Sequence, residues 1–309
     1  MANWWIMNRE YLISIMEKAN FSEEFYKVTL QAYEDLQNKN ALKELLSVVS
    51  EYENGLDFFE SCDKVKAIAE KVGVCVHYAY TVFFIFMAEV LRKQYIKKGY
   101  SLDMWQEFIN DLNYQASYFK NKCGICGMEG PLWQSRFFND NIFGFGILQF
   151  EIRKFGGYYK KGNLVIDENT PVLFVHVPQT GGPLDYKLVC QAYRKAEEFF
   201  TNNFLQTLGG KVIFTLRSWV MSEKLAGILK PTSNMLIMAN DYDIFKYGEY
   251  SDKDADTIER IFGGEFAGVD YAMLPENTSL QRGVKDLLMR GEAVGWGWGV
   301  YKPHIDKYK

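Results

Sequence analysis

The feature that most constrains the fold of this chain is a change in the spacing of its apolar residues. Up to about residue 122, apolar side chains recur at the i, i+3, i+4, i+7 spacing of a helix face, as in the stretch from 42 to 49. Further on they alternate with polar residues, as in 148 to 153, which is the period of a strand. The two periods occupy separate parts of the chain. They therefore predict two regions of different architecture, neither a single helical bundle nor a single β-sandwich.

The first region is predicted to be helical throughout. Five or six helices joined by short loops account for its apolar pattern. The most apolar stretch, residues 74 to 88, is too short and too polar at its start to span a membrane, which takes roughly 20 apolar residues. A buried core helix is predicted there instead, ending at Gly99.

The pattern of the second region predicts strands first and then alternating strands and helices. The predicted strands are 148–153, 171–177, 211–219, 235–239 and a last strand, at the sheet edge, around 295–299. The predicted helices are 184–204, 223–229, 254–262 and one capped by Thr278. This order predicts an α/β domain with a mixed sheet. The fold class is thus α+β, with a helical domain at 1–125, a sheet domain at 126–309 and a glycine-rich linker at the border.

Composition excludes several classes of protein. Hydrophobic residues make up 48% of the 309, too many for a disordered chain. A net charge of -4 gives no electrostatic reason to expect nucleic-acid binding. The start of the chain shows no basic and apolar leader, and five cysteines is an odd count, so free thiols and a cytoplasmic location are expected. Aromatic residues reach 16%, which suits either a large core or an apolar ligand site.

The stretch from His176 to Leu184 lies between a predicted buried strand and a long predicted helix. Gly181 and Gly182 would let the backbone approach a ligand closely, and Pro183 suits a first helical turn. Free N–H groups at such a helix start favour a phosphate. A plain strand-to-helix connection also uses glycine and proline, so the local pattern leaves both interpretations open.

Several short segments of the second region, taken in order, carry a family resemblance. They are GILQFE at 146–151, HVP at 176–178, GPL at 182–184, AEEFF at 196–200, SW at 218–219, SNM at 233–235, LP at 274–275 and TSLQR at 278–282. In order and spacing they resemble the GNAT-like acyltransferases that carry an added helical N-terminal domain. The resemblance covers about residues 146 to 282, and the helical first region fits the same layout.

The resemblance implies a GNAT fold that binds acetyl-CoA or another acyl-CoA where two neighbouring strands splay apart. The CoA pyrophosphate would lie on the loop before the long central helix, within a Gln/Arg-x-x-Gly-x-Gly/Ala motif. Gln179, Thr180, Gly181 and Gly182 match its first four positions, whereas Leu184 stands where glycine or alanine is expected. Val177, just before the motif, completes the implied set of CoA-binding residues.

The implied reaction is attack of an amine on a thioester carbonyl, which needs a base, a donor to the carbonyl oxygen and a proton for the thiolate. His176, at the end of the strand that leads into the CoA loop, is the candidate base, and a structural histidine is the alternative. Glu151 is expected on an adjacent strand, as a base acting through water or as a solvated or acceptor-binding carboxylate. Ser218 is a candidate donor to the sulfur or carbonyl, or simply a helix cap. Trp219 and Asn234 are candidates to line the acceptor pocket. The alternative is a structural role, in packing or in a turn of the chain.

No metal site is predicted, since the pair Cys123 and Cys126 lacks the two further ligands that zinc requires. His304, near the basic tail, is expected to be exposed. The function predicted is acyl transfer, most simply acetyl transfer, from CoA to a small-molecule amine, with no nucleic-acid or membrane partner. A non-catalytic acyl-CoA-binding or regulatory module is the alternative, because of the departure at Leu184, and an inert scaffold is a third reading.

Overall fold

A computed structural model of the chain describes residues 7–178, 184–249, 255–263, 266 and 268–308. The chain divides into two compact units, the first ending at Phe143 and the second beginning at Gly144. The predicted domain border after residue 125 lies N-terminal to this division and stays a prediction of where the second domain begins.

The described part of the first unit is built from helices, as predicted. They are α1 (Arg9–Lys18), α2 (Glu23–Asn38), α3 (Leu42–Glu53), α4 (Phe58–Val72), α5 (Val76–Lys98), α6 (Leu102–Cys123) and α7 (Pro131–Phe138). Side chains of Ser22, Asp57 and Ser101 cap α2, α4 and α6 by accepting backbone N–H groups. α7 follows the glycine-rich stretch and was not predicted.

Helix α5 forms the centre of this unit. Its residues from Ala79 to Leu91 are all buried, because the other helices of the unit pack around it. A helix that is apolar all round is typical of such a central position, which confirms the predicted core helix. Among the residues described, no helix is both long and apolar enough to cross a membrane.

The second unit contains a mixed sheet, whose first strand begins just before the division, and a separate hairpin. The strands are β1 (Ile142–Phe145), β2 (Leu148–Lys154), β3 (Tyr159–Lys161), β4 (Leu164–Ile166), β5 (Pro171–His176), β6 (Phe214–Ser218), β7 (Tyr242–Gly248) and β8 (Trp296–Tyr301). The sheet order is β1-β2-β5-β6-β8-β7, while β3 and β4 pair only with each other. β5 and β6 are parallel, whereas the β2–β5, β6–β8 and β7–β8 pairs are antiparallel. The predicted fold class is confirmed.

The helices of this unit are α8 (Tyr186–Asn203), α9 (Asn234–Asn240), α10 (Ala255–Phe262), α11 (Ser279–Met289) and α12 (Lys302–Tyr308). Helix α8 connects the parallel strands β5 and β6 and covers one face of the sheet, where Tyr193 packs on Phe150 and Phe214. The opposite face carries Trp298 and the hairpin of β3 and β4, whose side chains form one buried cluster. Thr278 caps α11 with a complete capping box, as expected.

Three expectations for this unit are wrong. Residues 235 to 239 form helix α9, not a strand, because a short apolar run has no period that separates the two structures. The glycine- and tryptophan-rich strand β8 lies inside the sheet between β6 and β7, not at its edge. His304 is 1% exposed, and its Nδ1 accepts the backbone N–H of Phe214.

The glycines of β8 are required by close packing on one face of the sheet. A β-carbon at Gly297 would collide with the backbone carbonyl oxygen of Met221, and a β-carbon at Gly299 would lie 2.8 Å from that of Tyr242. Trp296 and Trp298, which alternate with these glycines, point to the opposite face of the sheet. Close packing on one face and large rings on the other therefore explain the Gly-Trp alternation.

We expect Gly297→Ala to lower the free energy of unfolding by about 1–3 kcal/mol, because the backbone of Met221 must move to admit a methyl group. Gly227→Ala is the matched control, since nothing lies within 4 Å of a β-carbon built there, and it should stay within about 0.5 kcal/mol of wild type. Urea unfolding followed by tryptophan fluorescence measures both. Equal stability of the two variants would contradict the packing explanation.

Candidate active site

The candidate active site is built on the ends of β5 and β6, where the two strands part. Their ladder covers Leu173 with Phe214 and Phe174 with Thr215, while β5 runs on to His176 and β6 to Ser218. Beyond Thr215 the two strands share no register pair. Strands that separate in this way leave N–H and C=O groups that a ligand between them can engage.

Glu151 and His176 meet beside this gap. In the β2–β5 register Glu151 faces Phe174 and His176 faces Gln149, so both side chains point to the same face of the sheet. The Nε2 atom of His176 lies 2.8 Å from Oε2 of Glu151. The Glu151 side chain is 8% exposed against 25% for His176. The pair is therefore a buried carboxylate holding a histidine that solvent or substrate can reach.

This geometry corrects one expectation for Glu151 and sharpens the one for His176. Glu151 is buried and does not stand as a solvated carboxylate. In the tautomer that carries the ring hydrogen on Nε2, this nitrogen donates to the carboxylate and Nδ1 is the basic nitrogen. Arg153 lies 3.8 Å from the same Oε2 atom.

Ser218 stands on the other side of the gap. Thr215 pairs with Phe174, so Ser218, three residues further along β6, points to the sheet face opposite Glu151 and His176. Its hydroxyl oxygen accepts the N–H of Val220 at 3.3 Å and caps a 3-10 turn, Trp219–Met221. The serine is therefore a cap, and its hydroxyl hydrogen is not used by that bond. A catalytic role for it stays a prediction.

The predicted CoA loop can be followed only at its two flanks. Gln179, Thr180, Gly181 and Gly182 lie outside the described residues, whereas Val177 is half-buried after β5. Helix α8 begins at Tyr186, and the side chain of Asp185 accepts the N–H of Lys187 as its cap. The described flanks are the end of β5 and the start of α8, which are the strand and the helix that the sequence predicted on either side of the motif.

The two predicted acceptor-site residues lie on separate elements. Asn234 begins α9, and its Nδ2 atom donates to the carbonyl oxygen of Leu184 at 2.7 Å, which ties this helix to the flank of the loop. Trp219 is half-buried and packs on an apolar cluster that contains Leu225 and Val294. Both residues have a packing or anchoring contact, and their role toward an acceptor stays a prediction.

Sequence reasoning missed a cationic feature on the same face as Glu151 and His176. The guanidinium of Arg217 lies 4.0 Å from the ring centroid of Trp296 and 5.7 Å from that of Trp298. The sequence signal that could have revealed Arg217 is that it is the single charged residue in the largely apolar run 212–217.

A cavity of about 250 Å³ opens where β7 ends and β8 begins. Its lining includes Tyr247, Glu249 and Trp296, but neither His176 nor Glu151. In the described part of the chain, no group of three or more His, Cys, Asp or Glu side chains is placed to hold a metal ion. The five cysteines are free thiols.

Comparison with known proteins identifies the sheet unit. Residues 142–301 match the family model of the GNAT-like C-terminal domain. No curated protein is detectably similar to the chain.

Solved structures share the fold over nearly the whole chain. An acyltransferase in complex with decanoyl-CoA and teicoplanin has 20% identity and a TM-score of 0.69, over 93% of this chain and 86% of that one. A mutant acyltransferase in complex with octanoyl-CoA has 20% identity and a TM-score of 0.69, over 94% and 87%. An acyltransferase in complex with decanoyl-CoA has 18% identity and a TM-score of 0.64, over 94% and 98%.

Proposed function

The chain belongs to the family of GNAT-like C-terminal domains, and we propose that it is an acyl-CoA-dependent acyltransferase that acylates an amine. The observation that carries this proposal is the Glu151–His176 pair, which stands beside the gap between β5 and β6. The gap can hold an extended thioester, and the pair can take up the proton that an attacking amine releases.

Binding of the acyl-CoA is proposed along the parting strands. The amides of the pantetheine arm can pair with the backbone of β5 beyond Phe174, where β6 no longer does. The pyrophosphate would lie on the loop of Gln179, Thr180, Gly181 and Gly182, with Val177 at its start, since the glycines let the backbone approach a phosphate.

His176 is proposed as the general base. The amine attacks the thioester carbonyl carbon, a C–N bond forms, and Nδ1 of His176 accepts the amine proton while Glu151 holds Nε2–H. The C–S bond then breaks, CoA leaves as a thiolate that takes up a proton from solvent, and His176 returns the amine proton to solvent. Ser218 is the proposed hydrogen-bond donor to the sulfur or the carbonyl oxygen, approaching the gap from the other face of the sheet. Trp219 and Asn234 remain proposed contacts of the acceptor.

The acyl group and the acceptor are proposed in broad terms. Acetyl is the group that the family resemblance implies, whereas solved structures of this fold contain octanoyl-CoA and decanoyl-CoA. One of them also contains the glycopeptide teicoplanin, so a small-molecule acceptor is the proposed partner here. A cytoplasmic location is part of the same proposal.

Isothermal titration with acetyl-CoA, octanoyl-CoA and decanoyl-CoA tests this function first, and we expect at least one of them to bind with micromolar affinity. Release of CoA thiol in the presence of an amine panel then tests turnover. Absence of binding to all three would overturn the proposal. Binding without turnover of any amine would favour the non-catalytic module that the departure at Leu184 first suggested.

A further inference from the structure

Arg217 on β6 is an exposed arginine for which the described residues provide no ion-pair partner. Its guanidinium stacks on Trp296, and in the residues that the structure describes no carboxylate forms an ion pair with it. Arg153, on the same face of the sheet, differs in this respect because Glu151 lies 3.8 Å from its guanidinium. A guanidinium carries five N–H donors, and those of Arg217 are available to an anion.

The surroundings of Arg217 hold it in place. Trp298 donates from Nε1 to Oγ1 of Thr215 at 2.9 Å, and that hydroxyl donates to the carbonyl oxygen of Gly299 at 2.9 Å. The indole of Trp296 lies directly over Gly248, where a β-carbon would come within 2.5 Å of the ring. The stacked arginine thus rests on two buried, fixed rings, so little side-chain freedom is lost when it binds an anion.

The position of Arg217 relates it to the reacting groups. Thr215 pairs with Phe174 across β5 and β6, so Arg217 and His176, each two residues further on, point to the same face of the sheet. Arg217 lies on β6 and His176 on β5, the two strands that border the gap in which the thioester is proposed to lie, and the guanidinium extends over Trp296 of β8. An acceptor that extends from His176 along this face of the sheet toward β8 meets Arg217.

We propose that Arg217 is the anion-binding residue of the acceptor site and selects amines that also carry a carboxylate. This inference rests on the acyltransferase function proposed above. Planar bidentate binding of a carboxylate is the recognition that a stacked, unpaired guanidinium provides. The phosphates of CoA are the other source of negative charge, and the experiment separates the two.

The test compares glycine, β-alanine and γ-aminobutyrate with their carboxamides as acceptors, using acetyl-CoA and octanoyl-CoA. We expect at least one acid to be preferred over its amide roughly 10- to 100-fold in kcat/KM. Arg217→Gln should remove that preference by raising KM for the acid more than KM for the amide. Arg217→Lys, which keeps the charge but loses the planar fork, should retain part of it. The matched control is Arg290→Gln, because Arg290 is a surface arginine that is paired with Glu292.

A binding experiment gives the same comparison without turnover. N-octanoyl-β-alanine and its carboxamide resemble reaction products. Each is titrated into wild type and into Arg217→Gln, and binding is followed by the change in tryptophan fluorescence. We expect the acid to bind more tightly than the amide to wild type only. Equal binding of acid and amide, or a preference that survives in Arg217→Gln, would overturn the inference.

Two further outcomes are informative. If Arg217→Gln weakens binding of the acyl-CoA and leaves the acceptor preference unchanged, the arginine serves a CoA phosphate and the inference is wrong. If no amine is acylated by any acyl-CoA, the proposed function fails, and the titration of the octanoyl pair still decides whether Arg217 selects a carboxylate.

Discussion

Replacing His176 by alanine is expected to lower kcat for acyl transfer by roughly 10²- to 10⁴-fold, the usual contribution of a positioned general base. KM for the acyl-CoA should change little, because the imidazole is paired with Glu151 and is proposed to act only on the amine proton. Steady-state release of CoA thiol, with the acyl-CoA and the amine varied in turn, measures both constants.

The role of Glu151 follows from the same experiment. Glu151→Gln keeps a side chain of the same shape but removes the charge that faces the ring, so we expect a loss of roughly 10- to 100-fold in kcat. Since Glu151 is proposed to act through His176, the double variant should be no worse than His176→Ala alone. Glu168→Gln, an exposed carboxylate in the turn before β5, is the matched control.

Two results would remove His176 from the proposed mechanism. One is wild-type kcat in His176→Ala with the fold intact. The other is additive losses in the double variant, which would show that Glu151 acts independently of the histidine. Partial recovery of His176→Ala by added imidazole would support the assignment of the base, because the free base can occupy the space of the missing ring.

The stability of the protein is expected to fall by about 2 kcal/mol between about pH 7.5 and pH 5 because of His304. Burial lowers the pKa of His304 from 6.5 to about 4; the nearby Glu197 opposes this shift and Lys307 adds to it. The folded pKa is the lower one, so the unfolded chain binds the proton more readily. The contribution is therefore fully present above pH 6.5 and is lost progressively as the pH falls toward 4.

The complete loss would be about 3 kcal/mol, at about 1.36 kcal/mol for each pH unit between the two pKa values. Glu197 lies 3.6 Å from Nε2 of His304, but its own titration adds little to the loss of stability between pH 7.5 and pH 5. Burial raises the pKa of Glu197, whereas the hydrogen bond and charge of Lys307 and, once His304 is protonated, the charge of that ring lower it, so that this pKa lies below 4.5. Its own loss of stability therefore comes at lower pH.

Urea unfolding across this pH range, compared with His304→Asn, tests the prediction. Asparagine offers an acceptor in the place of Nδ1 for the N–H of Phe214 but does not titrate. The variant should be less stable at pH 7.5 because it fills less of the core, so the slope of the unfolding free energy against pH is the quantity to compare. The same slope in both proteins would show that His304 is not the group responsible.

Much of the fold could be predicted from local patterns. The helical first region, the mixed sheet and the strand–loop–helix at 171–203 each have a period or a cap that one stretch of sequence displays. The helix α9 could not be predicted, because the run from Met235 to Ala239 fits either structure. Its helical form is set by contacts with a cluster made by residues far along the chain.

The candidate site could be predicted only as a set of residues. His176 and Glu151 were both chosen from the sequence, but their hydrogen bond depends on the register of β2 against β5, which joins positions 25 residues apart. The register of β5 with β6 places Ser218 on the face of the sheet opposite His176. It also brings Arg217, which no motif marks, to the face of His176.

The sequence by itself determined the two architectures of this chain, the connection that leads from β5 into α8, and the residue types available for chemistry. These follow from periodicity and turn-forming residues, which act over a few neighbouring positions. The tertiary structure alone decided that β8 lies inside the sheet, that His304 is buried, and which side chains share the face beside the parted strands. Those outcomes depend on pairing and packing between distant segments, and a shift of one residue in register would reverse every side chain on a strand.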